Sequence, residues 1–442
     1  PGGGFAPGPV TGPVGATGPL GGSALDPIDV DDIDFFLGAE EIAENTFSEP
    51  PGGLLPPLDE FVEDDEIILE EDDLPPIPTV THDISIVGST ITLAAGTADT
   101  VIGTAGADNI ILAGNGVLEV IDTIDGGAGS DTLNLNDGVN FAIISNIETV
   151  DFSAVVQDPT DPHLVDVVTT GASASVFFQN INSTTSNVDV TITGADSVSL
   201  TLSGGATNFN TVITGGSGVA DVVSLPFGAI NTAIITGVET VFGGNVTDTV
   251  TLGGPLSGGT VNLQTGNDQL SLAGGGNTLT VDNTETLFGG SGNDIITITS
   301  GSADAIDLGG GTDSLTFSGG AAFLISSLSN TETFAGGTGN DTITMGTALT
   351  TGSVFNGGGG TNQLNLLAGT NTVDAENFNI LGSGLDDTLT LEGGNTNGNL
   401  IDLSGGTNDS LTLGNGSINS LVVSGVETLV GGAFDDTIIF QT

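Results

Sequence analysis

TETLFGGSGNDIITI, residues 284–298, decides the fold. A Glu-Thr pair, an apolar residue, two glycines and an Asp lead into alternating Ile and Thr, and the same order returns as VETVFGGNVTDTVTL (238–252), TETFAGGTGNDTITM (331–345) and VETLVGGAFDDTIIF (426–440). A fifth copy, LGSGLDDTLTL (381–391), lacks the aligned Glu. Alternation with a period of two places Ile and Leu on one side of a strand and Thr on the other. Paired glycines supply the positive φ of tight turns, and Asn and Asp tolerate the same region. Self-similarity at a fixed spacing is the mark of a repeat architecture in which neighbouring units bury each other's apolar face.

The Asp of each unit is Asp248, Asp294, Asp341, Asp387 or Asp436, at intervals of 46, 47, 46 and 49. Between them lies a second turn and strand: TGNDQLSL at Asp268, GGTDSLTF at Asp313, GGTNQLNL at Asn362 and GGTNDSLTL at Asp409. The spacing predicts an all-β, parallel β-solenoid of the β-roll or β-helix kind, with a repeat of about 46 residues that is a double coil of roughly 23-residue coils. A recurring Glu, at Glu148, Glu239, Glu285, Glu332 and Glu427, follows Asp131, Asp221, Asp268, Asp313 and Asp409 by 17 to 19 residues. This Glu column is read either as a place for cations or Thr hydroxyls, or as an exposed polar column.

The chain of 442 residues has no Lys and no Arg against 56 Asp and Glu, a formal charge of -56. Such a chain repels nucleic acid and anionic lipid, and its clustered carboxylates call for cations from solution; hard divalent ions with oxygen ligands are the natural counterion. There is no Cys, hence no disulfide framework or thiol nucleophile. No apolar run approaches the 20 or so residues needed to span a membrane, so the chain is not expected to cross one. The start, PGGGFAPG, lacks the charged and apolar regions of a signal peptide, which suggests a removed leader or another export signal. His82 and His163 are the only imidazoles and sit far apart, and no Lys or Arg is present to stabilise developing negative charge; the chain is not expected to be an enzyme.

Two regions differ from the repeat. Residues 1–80 hold 13 of the 17 prolines and 19 of the 56 acidic residues, and read as an extended, Pro- and Gly-rich acidic arm preceding a solenoid over 81–442. The arm is either a solvated tail or a segment that docks by strand addition through Phe35, Phe36, Phe61 and Ile67. Residues 154–215 keep the alternation but lose the Asp register, and are expected to form atypical coils with an inserted loop.

The turns GGAGSD (126–131), GGSGND (289–294) and GGTGND (336–341), and more weakly GTAGAD (103–108), resemble the Gly-Gly-x-Gly-x-Asp turn of RTX, the hemolysin-type calcium-binding repeats. That resemblance implies a Ca2+-dependent parallel β-roll with Asp131, Asp294, Asp341 and Asp108 as carboxylate ligands and Gly126, Gly289 and Gly336 lending carbonyl oxygens. The degenerate turns would add Asp248, Asp387 and Asp436. The family's sites come from tandem nonapeptides, whereas here a whole coil separates one Asp turn from the next, as from Asp294 to Asp313 and from Asp313 to Asp341. The alternative is that each Asp caps the amides of its own loop.

Taken together, the sequence predicts a self-assembling structural protein at the bacterial cell surface, extracellular, a subunit of a surface layer, sheath or filament. Its partners would be copies of itself, joined end to end where the pattern runs to Ile439 without a polar cap, and calcium ions. The alternative is an RTX-like adhesin spacer. A more remote one is an ice-binding solenoid, in which Thr249 and Thr251, Thr342 and Thr344, and Thr388 and Thr390 form a ranked array on one flat face.

Overall fold

The computed structural model describes residues 79–83, 90–91, 98–112, 122–135, 141–151, 163–168, 174–179, 181, 185–193, 197–205, 207–217, 220–300, 304–393, 399–415 and 418–441. All of them belong to one compact unit, Pro75–Thr442, so the acidic arm lies outside the described residues apart from its last two positions. They form 37 strands and no helix. The fold is the parallel β-solenoid that the sequence predicts.

Strands go alternately to two sheets. One runs from Thr79–Asp83 to Thr437–Phe440 and the other from Thr90–Ile91 to Thr428–Val430, so each coil gives one strand to each sheet. Asp248–Leu252, for example, pairs in parallel with Ile230–Thr236 of the coil before and Gln269–Ser271 of the coil after. Ser257–Asn262, which follows it in the chain, pairs instead with Thr240–Phe242 and Thr278–Asp282 in the second sheet.

The coils are tighter than the sequence spacing predicts. Thr249 pairs with Gln269, Gln269 with Thr286 and Asn362 with Phe378, numbering steps of 20, 17 and 16. The double-coil repeat expected from the sequence therefore spans five strands: those beginning at Asp248, Ser257, Gln269, Thr278 and Thr286 precede Ile295–Ile298, which follows Asp294. Five is odd, so each successive Gly-Gly/Asp turn falls at the opposite corner of the solenoid. Asp248, Asp341 and Asp436 enter the first sheet, whereas Asp294 and Asp387 enter the second.

Within 154–215 the described strands, among them His163–Val168, Ala174–Gln179 and Asn208–Thr214, stay in the same two sheets with longer steps, such as that from His163 to Val188. The long step from Thr149 to Phe177 brackets residues 152–162, which lie outside the described residues, so the inserted loop expected within 154–215 is not placed there or elsewhere.

Inward positions form one apolar column. Val250, Leu270, Leu287, Ile306, Leu328, Ile343 and Leu364 are buried in successive strands of the first sheet, and Ile296, Leu315, Phe334 and Phe355 in the second. Each contributes roughly 1.5–3 kcal/mol relative to exposure. Phe317 stacks on Phe323 at 4.1 Å and meets Phe334 edge-on at 5.0 Å, and Phe334 lies 5.6 Å from Phe355. The Thr pairs do not share a face: Thr249 and Thr251 and Thr342 and Thr344 belong to the first sheet, Thr388 and Thr390 to the second. The single array that an ice-binding reading needs is thereby split.

Candidate functional site

The alternation that buries Val250 and Leu252 also decides where Asp248 goes. In Asp-Thr-Val-Thr-Leu the first, third and fifth residues share a side, and Asp248 is 0% exposed. Asp108, Asp131, Asp294, Asp341 and Asp387, expected from the resemblance as carboxylate ligands, are buried for the same reason. An ionised carboxylate inside a protein needs hydrogen-bond donors, and with no Lys or Arg the donors here are backbone amides, joined at some positions by Asn, Ser and Thr side chains.

The amides come from the preceding coil. The N–H of Asp248 donates to Asp268 Oδ1 at 2.8 Å, and the N–H of Asp268 donates to Glu285 Oε2 at 2.7 Å. At the opposite corner the N–H of Asp294 donates to Asp313 (2.8 Å) and that of Asp313 to Glu332 (2.8 Å). The same Asp-Asp-Glu ladder joins Asp108, Asp131 and Glu148 (2.7 and 2.7 Å) and Asp387, Asp409 and Glu427 (2.7 and 2.8 Å). Asp221 and Glu239 form a two-step version at 2.8 Å. All five Glu of the recurrent column thus accept the amide of the Asp that precedes them by 17 to 19 positions, because that spacing is one coil. Neither a Thr hydroxyl nor an idle surface position describes them.

The two Asp of a ladder differ in their second oxygen. The leading Asp, except Asp341, whose Oδ2 is buried without a hydrogen-bond partner, uses Oδ2 to accept an amide of its own turn: Thr104 N–H for Asp108, Gly244 for Asp248, Gly290 for Asp294, Ser383 for Asp387 and Gly432 for Asp436. This is the loop-capping role that the sequence left open as an alternative. Oδ2 of the middle Asp, in Asp131, Asp268 and Asp313, is buried and meets no donor. Burial pushes the carboxyl groups of Asp268 and Asp313 up to about 6, against the lowering pull of the Asp248 and Asp294 amides. Neighbouring carboxylates of the same ladder add to the rise. Burial likewise raises Asp131, Asp248 and Asp341. Asp436 is instead held below the ordinary range, chiefly by the Asn419 side-chain amide.

The expected glycine ligands have a steric role. A side-chain carbon on Gly126 would sit 2.0 Å from the Asn146 carbonyl oxygen and 2.8 Å from Asp131 Oδ2; on Gly336, 2.3 Å from the Gly357 oxygen and 2.9 Å from Asp341 Oδ2; on Gly289, 2.1 Å from the Leu308 oxygen. The first glycine of the turn leaves the room that the next coil's backbone, and at Gly126 and Gly336 the carboxylate as well, occupies. Among the described residues, no three His, Asp or Glu side chains come together as a metal-holding group. The Asp residues named by the resemblance are distributed along two corners, each bonded to its own coil neighbours.

One recurrent feature escaped the sequence reading. Two residues before each recurrent Glu stands Asn146, Asn283, Asn330, Gly237 or Gly425, with φ of 50°, 49°, 53°, 66° and 60°. This left-handed residue turns the chain so that the Glu meets the ladder. The three Asn also donate back one coil, to Asp125, Asn262 and Asp307. The signal was present as Asn or Gly at a fixed offset from Glu-Thr. His82 and His163 lie in two different strands, Thr79–Asp83 and His163–Val168.

These features define a two-sheet parallel β-solenoid joined at its corners by buried carboxylate-to-amide ladders. No protein-family model matches the chain, and no curated protein matches it.

Proposed function

We propose that this chain is a self-assembling structural protein, extracellular and at the bacterial cell surface, in which a calcium-stabilised solenoid is the building element of a layer, sheath or filament. The observation that carries the reading is the ladder system. Polar side chains that an enzyme would turn toward a substrate here bind one coil to the next, at both corners and along most of the described chain. Coil-to-coil contact consists of main-chain bonds and carboxylate caps that repeat from one coil to the next, so a coil of a second copy would be held as an internal one is.

Support for calcium comes from the charge balance. Buried carboxylates one strand spacing apart, about 4.8 Å, repel by roughly 3 kcal/mol per ionised pair at an effective dielectric of 20. The chain has no basic side chain to offset this. Calcium accepts carbonyl and water oxygens besides carboxylates, which suits an acidic, glycine-rich corner.

Electron microscopy and circular dichroism on the EDTA-treated chain, as calcium is added back, test the proposal. Joint appearance of β signal and ordered sheets or filaments supports it. A folded monomer with or without calcium overturns it and favours the adhesin-spacer reading.

A further inference from the structure

In one stretch of the first corner the carboxylate ladder gives way to neutral amides. Asp341 donates its N–H to Asn362 Oδ1 at 2.9 Å, where Asp248 donates to Asp268, and Asn362 pairs with Phe378 where Asp268 meets Glu285. Asn362 is internally satisfied: its Nδ2 donates to the carbonyls of Gly357 (2.7 Å), Gly359 (3.0 Å) and Asn377 (3.1 Å). Beside it opens a groove of about 420 Å³ lined by Gly360, Thr361, Asn362, Asn377, Asn379 and Asn399, with no ionisable side chain among the described residues of its wall.

Two groups of this wall have hydrogen-bonding capacity to spare. Asn379 Oδ1 accepts the Leu400 N–H at 3.0 Å, while its Nδ2 makes no hydrogen bond among the described residues. Thr361 donates its backbone N–H to Asn340 Oδ1 at 2.8 Å, and its hydroxyl makes no hydrogen bond among the described residues. A charged ligand has better or worse places elsewhere on a chain of formal charge -56: cations at the carboxylates, anions nowhere. An amide donor and a hydroxyl that both donates and accepts, in one groove wall, suit the several hydroxyl groups of a sugar, which donate and accept in turn. We infer that the Thr361–Asn379–Asn399 groove binds a neutral saccharide chain. The site is independent of self-assembly and would give the structural element a hold on an uncharged glycan.

The test is saturation-transfer NMR on the full chain with cellopentaose, maltopentaose and chitopentaose, and with an oligogalacturonate as the acidic control. The expected result is transfer to at least one neutral pentasaccharide and none to the acidic sugar. Asn379→Asp keeps the acceptor for Leu400 but replaces the donor with a negative oxygen, and Thr361→Val removes only the hydroxyl. Each is expected to weaken binding at least about tenfold, the loss of one good hydrogen bond, with unchanged circular dichroism. Absence of transfer from all three neutral sugars, equal binding of the acidic one, or wild-type affinity in both folded variants would overturn the inference.

Discussion

The amide of Asp248 donates to the carboxylate of Asp268 in the next coil, and the other oxygen of that carboxylate, Oδ2, is buried without a donor. Half of the Asp268 side chain therefore joins two coils and half opposes their closure. Asn362, at the matching rung of the Asp341 ladder, accepts the same kind of amide and fills its second position with an NH2 bonded to three carbonyls.

Asp268→Asn and Asp313→Asn are accordingly expected to leave stability unchanged or raise it by about 1 kcal/mol at neutral pH in EDTA, whereas Asp268→Ala, which strands the Asp248 amide, is expected to cost about 1–3 kcal/mol. Urea unfolding of the three variants checks the order. Destabilisation by Asn as large as that by Ala would show that the charge itself is needed, as a bound cation would require.

The pH dependence follows from the same groups. Asp268 and Asp313 titrate near 6 in the folded chain against about 3.9 unfolded, so the folded state keeps protons that the unfolded state releases. Their contribution is fully present below about pH 4 and is lost as pH rises through 6. Asp436 and Asp402, lowered chiefly by the Asn419 and Ser404 side chains, act the other way, and their contribution is lost as pH falls below about 4. Metal-free melting temperature should thus fall between pH 4 and 7, and the Asp268→Asn/Asp313→Asn double variant should flatten that slope. A melting temperature that rises steadily from pH 4 to 7 in the unsubstituted chain would contradict the assignment.

Gly336→Ala places a carbon 2.3 Å from the Gly357 oxygen, whereas Gly310 has open space around it and no left-handed backbone. Gly336→Ala and Gly126→Ala are expected to destabilise by at least about 2 kcal/mol, and Gly310→Ala to fall within about 0.5 kcal/mol of the parent. Thermal unfolding of the three separates a steric requirement from general glycine flexibility.

Phe334 contacts Phe317, Phe355 and Phe378 across the core. Phe334→Ala is expected to cost about 3–5 kcal/mol. Because coils contact mainly their neighbours, the loss should appear as faster hydrogen exchange in the surrounding coils before those near Val101. Uniform acceleration along the chain would argue for a single cooperative unit.

Much of this was legible in one dimension. The period of two in Asp-Thr-Ile-Thr-Ile fixes which side chains face inward, and that same period, carried back one step, places the Asp inside with them. The distance from Asp313 to Glu332, like those of its counterparts, is one coil, so the pairing partner was already marked in the sequence. Charge composition determined that no base would neutralise these carboxylates.

Only the stacking of coils decided the rest. Coil length depends on how tightly each corner turns, which sequence spacing does not state, and a coil shorter than expected makes the repeat span five strands instead of four. That odd number sends successive Asp turns to opposite corners and divides the Thr pairs between two sheets. It also brings the backbone amides of an adjacent coil onto the carboxylates of Asp268, Asp313 and Asp409.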